Sequence, residues 1–463
     1  MRISASTGRR LLRSTGVLFT AAMLSLGSGC SNVTDTLLEA TDPDLINPDD
    51  VKSREGALAL AYGTLDRFSE TTAGAESTWL FGGLLADEWS TSSTFVQNDE
   101  TDQRSIQENN SSITGMFRML ARVRTSANQA IKGLREFADD EDVLLAEMYF
   151  ARGFAELQLA SDFCNGIPLS DASEAEPVYG DPLSVDAVFG VAVASFDSAL
   201  AIVQGATSAD AVEIRRASLV GKARALVGQD KIAEAAALVP PSAVPTTFAY
   251  VHDFDVNANT NTIWAQGLSA KRYSVADSVE GNGRNILVAN AIPFGSANDP
   301  RLPVVDTKRA GQDGQTFTRT TTLYDRFTSI DVVNGIDARL IEAEAALRAG
   351  NAAGMLAILN ALRADPPALG TVEPAPMPAL TDPGTEAERI DLLFREKAFW
   401  TFSRGQRLGD LRRLVRQYDR APTDVFPIGT HYKGGNYGSD VNLPVVTDER
   451  NNPNFQGCTD RNA

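Results

Sequence analysis

The sequence predicts a helix-dominated scaffold of paired helices, interrupted by long irregular loops and carrying a few short strands. Three observations predict it. Apolar residues recur with helical period over most of the chain, two stretches run helix, glycine, helix, and between residues 248 and 323 that period gives way to Asn, Thr, Gly and Asp.

Residues 57–68 form the first expected helix, followed by a polar, aromatic-bearing stretch over 71–110. Residues 116–137 form a long amphipathic helix with Met119, Val123, Ala127, Ala130, Ile131 and Leu134 on one face. Residues 143–159 are apolar nearly all round, the mark of a buried helix. Helices over 185–203 and 211–227 come next, then a short one over 232–239 that Pro240-Pro241 ends.

Two places repeat a pattern. Ala223-Arg224-Ala225-Leu226 runs through Gly228 into a helix carrying Ala233, Ala236 and Leu238. Ala343-Glu344-Ala345-Ala346-Leu347 runs through Gly350 into Met355, Ile358, Leu359 and Leu362. Small residues on facing helices, with glycine at the turn, let tetratricopeptide-like helix pairs pack closely. Residues 143–203 and 390–418 hold further pairs. The spacing is uneven, so no regular array is expected, and an irregular helical bundle is the other reading. The loop region, an insertion over about 240–330, contains β-like runs at 262–264 and 316–323, and 365–383 is a second irregular, proline-rich stretch. Long loops on a rigid scaffold are where binding surfaces usually lie.

The first thirty residues stand apart. Arg2, Arg9, Arg10 and Arg13 make a basic start, residues 17–26 are apolar, and Gly27-Ser28-Gly29-Cys30 follows. That is the layout of a secretory signal peptide over residues 1–29. The apolar run is about half of the ~20 residues a spanning helix needs. A cysteine directly after small residues resembles the bacterial lipoprotein cleavage box, which implies lipidation at Cys30, although Gly27 stands where Leu, Val or Ile is usual. Ordinary secretion with a free Cys30 is the alternative. Each buried acyl methylene contributes ~0.8 kcal/mol, so more than one chain anchors a protein stably. Ser31 is not the aspartate that retains enterobacterial lipoproteins at the inner membrane, so the outer membrane is favoured. Residues 30–50 read as a lipidated tether, and 51–463 as a single domain.

Loss of residues 1–29 removes four arginines and no acid, which takes the formal charge from −18 to −22. So acidic a surface excludes nucleic acid as a partner, because phosphate binding needs clustered Lys and Arg. Apart from Cys30, the cysteines are Cys164 and Cys458. An even pair in an exported protein points to a disulfide, here closing almost three hundred residues. Two unpaired buried thiols are the alternative.

Two sets of side chains have the composition of a sugar site. Trp79, Trp89 and Phe95 lie near Asp87, Glu88, Gln97 and Asn98; Tyr273, Asn282, Arg284, Asn285 and Phe294 form the second set. Aromatic rings meet the C–H faces of pyranoses while flanking polar groups bind hydroxyls. Loop packing against the core is the competing reading of both sets. Trp264 and Trp400 read as core. His252 and His431 sit in no metal or triad spacing, and no H-E-x-x-H, G-x-S-x-G or phosphate-binding glycine loop occurs. Asp253-x-Asp255-x-Asn257 begins like a calcium loop, but Ala258 replaces its glycine and Trp264 its glutamate. No catalytic residues, metal or cofactor are expected. A glycosidase carboxylate pair is defined by separation in space, so sixty acidic residues without a motif do not reveal one.

Several segments, in order, resemble the SusD/RagB family of outer-membrane nutrient-binding lipoproteins. They are Ala151-Arg152-Gly153-Phe154-Ala155 with Gly166-Ile167-Pro168-Leu169, and the turn Asn298-Asp299-Pro300-Arg301-Leu302. Next come Ala338-Arg339-Leu340-Ile341-Glu342-Ala343-Glu344-Ala345 with Leu359-Asn360-Ala361-Leu362-Arg363, and Arg395-Glu396 with the block from Gly405 to Arg413. The tail segments Phe426-Pro427-Ile428, Leu443-Pro444 and Asn452-Pro453-Asn454 also fit. Arg404 stands where the family usually has glutamate, and Leu408 and Gly409 where it often has aromatics. Arg395, Glu396, Arg407, Asp410 and Arg413 are expected as buried ion pairs tying helices together. The resemblance implies a surface-exposed lipoprotein that binds a polysaccharide or other polymer and works with a SusC-like TonB-dependent transporter. A helical-repeat scaffold that holds other envelope proteins without binding nutrient is the alternative, and a surface glycosidase the third class.

Overall fold

The computed structural model describes residues 52–73, 77–174, 176–257, 259–446 and 450–463. The expected signal peptide, Cys30 and the expected tether lie outside the described residues. About 48% of the chain is helical. In order, the first helices are α1 (Arg54–Ala73), α2 (Thr78–Leu85), α3 (Val96–Asp102), α4 (Ser111–Phe137) and α5 (Asp142–Asp162). α6 (Val185–Ile202), α7 (Ala209–Gly228) and α8 (Ile232–Leu238) follow. After the loop region come α9 (Gly335–Arg348), α10 (Ala352–Ala364), α11 (Glu386–Trp400), α12 (Arg407–Gln417) and the one-turn α13 (Pro422–Val425).

Side-chain caps place the helix starts. Asn110 accepts from the backbone of Ser112 and Ile113, which begins α4 a turn earlier than its apolar face predicts. Ser184 and Ser208 cap α6 and α7 in the same way. Asn334 with Asp337, and Thr385 with Glu388, form reciprocal capping boxes at α9 and α11.

The predicted small-residue packing is present, with the large partner now visible. The Phe196 ring of α6 fills the space between Gly153 of α5 and Gly221 of α7, where a Cβ at Gly221 would lie 2.5 Å from the ring. Gly228 differs from expectation. It stays inside α7 with the Phe189 ring against it, and the turn into α8 is made by Asp230 at φ +61°. Gly350 does make its turn, at φ +73°. α5 is buried on nearly every side, including Glu156, whose carboxylate takes Arg124 of α4 at 2.9 Å and the Ser195 hydroxyl of α6 at 2.6 Å.

The strands form five separate antiparallel pairs. They are β1 (Trp89–Thr91) with β5 (Tyr273–Val275), β2 (Ile167–Pro168) with β3 (Pro182–Leu183), and β4 (Ala249–His252) with β10 (Ile330–Asn334). The other two pairs are hairpins, β6 (Val279–Glu280) with β7 (Ile286–Leu287) and β8 (Val304–Ala310) with β9 (Phe317–Thr321). Residues 262–264, expected as β-like, are a helical turn capped by the Asn261 side chain and continued by a π-turn to Ser269. Residues 71–110, expected as one polar stretch, hold α2, α3 and β1.

The C-terminal segments are tied across the scaffold. Cys164 and Cys458 are joined at an S–S distance of 2.07 Å with Cα atoms 5.7 Å apart. Backbone bonds from Cys164 to Leu443 and from Thr459 to Asn165, both 2.9 Å, flank the bridge. Buried charges tie α9, α11 and α12. Glu344 accepts from Lys397, Arg413 and Tyr418, and Asp410 takes both Lys397 at 2.7 Å and Arg413 at 3.0 Å. Glu396 meets Arg301 and Arg363, each at 2.8 Å. Arg395 and Arg407 depart from the expected ion pairs: Arg395 is exposed, Arg407 is buried, and neither meets a carboxylate within 4 Å among the described residues.

Candidate functional site

The two sequence sets converge because β1 pairs with β5, setting Trp89 opposite Val275 and Thr91 opposite Tyr273. Every residue of the two strands is buried, so the pairing carries Trp89 and Tyr273 into the core. Trp79, Asp87, Glu88, Trp89, Tyr273 and Phe294 are all buried, which corrects the expectation that these six face a ligand. Trp79 lies against Gly405, Trp89 donates from Nε1 to the Ser403 hydroxyl at 3.1 Å, and Phe294 stacks edge-on with Phe399 and Phe402 at 5.1 Å. A ring whose faces are packed on protein offers none to a sugar. Burial pushes the Glu88 carboxyl up to about 8 and the Asp87 carboxyl well above the usual range, so these acids serve the interior as neutral groups.

Phe95, Asn282 and Arg284 remain at the surface. Phe95 precedes α3 and is 40% exposed, with the Arg272 guanidinium 4.8 Å from its ring centre. The tip of the β8–β9 hairpin closes on the same loop. Asp313 N–H donates to the Ser92 carbonyl at 2.9 Å, Gln312 N–H to Lys271 at 3.0 Å, and the Ser93 hydroxyl to Gln312 Oε1 at 3.1 Å. Asn282, at φ +56°, accepts from Phe317 N–H at 2.7 Å and so fixes the other side of that tip.

A third segment completes the surface. Lys433 Nζ donates to the Ser93 carbonyl at 2.9 Å and to Asp99 at 2.7 Å, and lies 3.2 Å from Asp313. Arg284 donates to the Tyr432 carbonyl, and the Tyr432 hydroxyl donates to the Thr91 carbonyl or Asp102, each at 2.6 Å. Burial raises the Asp99 carboxyl against the pull of Lys433. At Asp313 burial pushes the same way, but the Thr316 hydroxyl and the N–H groups of Gln315 and Thr316 hold it below the usual range. The result is an exposed aromatic ring beside a guanidinium, an amide and a lysine-bridged carboxylate pair, all braced by backbone bonds. Such a surface can stack on an apolar ring face and bind hydroxyls around it.

Sequence reasoning missed Arg272, Gln312, Asp313 and Lys433, which reach the site through pairings distant along the chain. Among the described residues no group of three or more His, Cys, Asp or Glu is arranged to hold a metal ion. His252 is pushed down to about 3 by burial and lies 2.8 Å from the Thr72 hydroxyl, edge-on to Phe68.

No family model and no curated protein matches the chain. Solved structures do match it in fold. One is a SusD superfamily protein from Bacteroides thetaiotaomicron, 14% identical, with a TM-score of 0.61 over 88% of this chain and 98% of that one. Another is a SusD superfamily protein from Bacteroides vulgatus, 15% identical, TM-score 0.59, covering 88% and 99%. A third is surface glycan-binding protein A from Bacteroides uniformis, 12% identical, TM-score 0.57, covering 88% and 99%. The chain is therefore a helical-repeat protein with irregular loops. More particularly, it has the fold of the SusD superfamily.

Proposed function

We propose that this chain is a surface-exposed glycan-binding lipoprotein, lipidated at Cys30 after removal of residues 1–29, that serves a SusC-like TonB-dependent transporter of the outer membrane. It acts by binding and not by catalysis. The observation that carries the reading is the exposed Phe95–Arg272 pair, set in polar groups on a scaffold whose fold matches a surface glycan-binding protein over 88% of the chain. Phe95 is the aromatic platform, Arg272 and Gln312 its polar rim, and Asn282 and Arg284 hold the neighbouring loops in register with it. The acidic chain, with a formal charge of −18, favours neutral over polyanionic polymers at this surface.

Electrophoresis through gels containing a panel of soluble polysaccharides tests the reading. One or more neutral glycans should retard the protein, and Phe95→Ala should reduce the retardation sharply, in line with an about tenfold weaker affinity, without lowering thermal stability. Failure of every glycan to retard it, or retardation indifferent to Phe95→Ala, contradicts the site.

A further inference from the structure

A cleft of about 250 Å³ opens where the loop carrying Asn290 and Ile292 meets α11, α12 and α13. Three arginines line it, Arg395, Arg407 and Arg420, together with two carboxylates, Asp391 and Asp424. Arg420 is already occupied, donating to the Ala387 carbonyl at 2.9 Å and to Asp391 at 3.1 Å. The other two are not. Arg407 is only 6% exposed, yet its Nε has no hydrogen-bond partner. Arg395 rests over the Phe399 ring at 5.2 Å and its charge repels that of Arg407.

Glu88, Asp410 and Asp87 attract the Arg407 guanidinium through space, but none forms an ion pair with it within 4 Å among the described residues. Asp410 is held by Lys397 at 2.7 Å and Arg413 at 3.0 Å, and burial keeps Glu88 protonated near neutral pH, at about 8. A buried guanidinium nitrogen without a hydrogen bond is costly, and a second like charge on the same cleft adds to that cost. In a chain with a formal charge of −18, two arginines without an ion-pair partner in one cleft, beside Asp424 and the Arg420–Asp391 pair, are not a by-product of a basic surface. A carboxylate between Arg395 and Arg407 would offset both costs.

The remaining walls specify what kind. Ile292, Phe394, Leu411, Leu414 and Val425 give the cleft apolar lining beside the arginines, Leu411 one helical turn from Arg407. The volume is just under the ~300 Å³ at which pockets for drug-sized molecules begin, so it suits one ring and not a chain. A bare inorganic oxyanion would leave the apolar wall unused. Guanidinium forks match the two oxygens of a carboxylate.

We propose that this cleft binds one carboxylate-bearing ring, of the size of a uronate, with its carboxylate on Arg395 and Arg407 and its C–H face on Ile292 and Leu411. The site is built from other elements than the Phe95 surface and does not rest on it.

Calorimetric titration of the purified protein with glucuronate, glucose and inorganic sulfate tests the assignment. Glucuronate should bind saturably and glucose should not. Arg395→Gln should weaken glucuronate at least tenfold with an unchanged melting temperature, and Arg407→Lys should do likewise. Phe95→Ala should leave glucuronate binding intact, which separates this site from the glycan surface. Because Arg407 is buried and its variant could fail to fold, the exposed Arg395 carries the decisive comparison. Absence of saturable glucuronate binding, equal binding of glucose, tighter binding of sulfate, or indifference to Arg395→Gln would each overturn the proposal.

Discussion

The Arg272 guanidinium carbon lies 4.8 Å from the centre of the Phe95 ring, while that ring keeps 40% of its surface open. Trp89, six residues earlier, is 1% exposed and bonded to Ser403. Mutation separates the two roles. Phe95→Ala should weaken binding of the preferred polysaccharide about tenfold, the scale of one aromatic stacking contact of ~1.4 kcal/mol. Its melting temperature should not move. Trp89→Ala should instead cost ~3–5 kcal/mol of stability, as truncation of a buried tryptophan does. Affinity and chemical denaturation measured on both variants check the pair.

The second expectation concerns the scaffold. A Cβ at Gly221 would meet the Phe196 ring at 2.5 Å, and α5 already packs on the other side of that ring through Gly153. The ring has no space to yield. Gly221→Ala should therefore destabilise by ~1–3 kcal/mol, although alanine is the better helix former. A gain in stability would mean that the helix pairs are more loosely packed than described.

The third concerns pH. Burial raises the Glu88 carboxyl from its ordinary 4.5 to about 8 and that of Asp162 to about 7. The folded protein binds these protons more tightly than the unfolded chain. Their contribution to stability is thus fully present in acid and is lost as pH rises through the folded values, each group costing up to ~1.4 kcal/mol per pH unit. Glu88→Gln carries no such proton, so stability of the wild type relative to this variant should fall between pH 4.5 and 8. Parallel profiles would show that Glu88 is not held neutral.

The fourth concerns the tail. The Cys164–Cys458 bridge spans 294 residues, a loop length for which chain entropy contributes several kcal/mol in the unfolded state. Cys458→Ser should cost ~2–5 kcal/mol and raise hydrogen exchange at Thr459, whose N–H donates to Asn165 at 2.9 Å. Unchanged exchange there would mean that the backbone bonds alone hold the tail.

Most helices were legible because an apolar stripe or a fully apolar run announces itself locally, and Ser184, Ser208 and Pro240 mark boundaries by their own chemistry. Gly350 was read correctly as a turn, whereas Gly228 was not: its glycine answers to Phe189, a residue thirty-nine positions earlier, and not to backbone conformation. Gly405 shows both demands at once, with φ +65° and a Cβ position 2.1 Å from Trp79. The site was half legible. Phe95, Asn282 and Arg284 could be named from composition, but composition cannot tell the exposed Phe95 ring from Trp79 or Trp89, which packing of Gly405 and Ser403 against them buries. Lys433 gave no local signal, because its partners Ser93, Asp99 and Asp313 are brought together only by the fold.

An affinity pull-down of the tagged, full-length protein from gently solubilised outer membranes of its own organism tests the transporter partnership. A large TonB-dependent barrel should be recovered in near-equal amount. Recovery of envelope assembly factors in place of it, or of no barrel at all, would rule the partnership out and favour a helical-repeat scaffold.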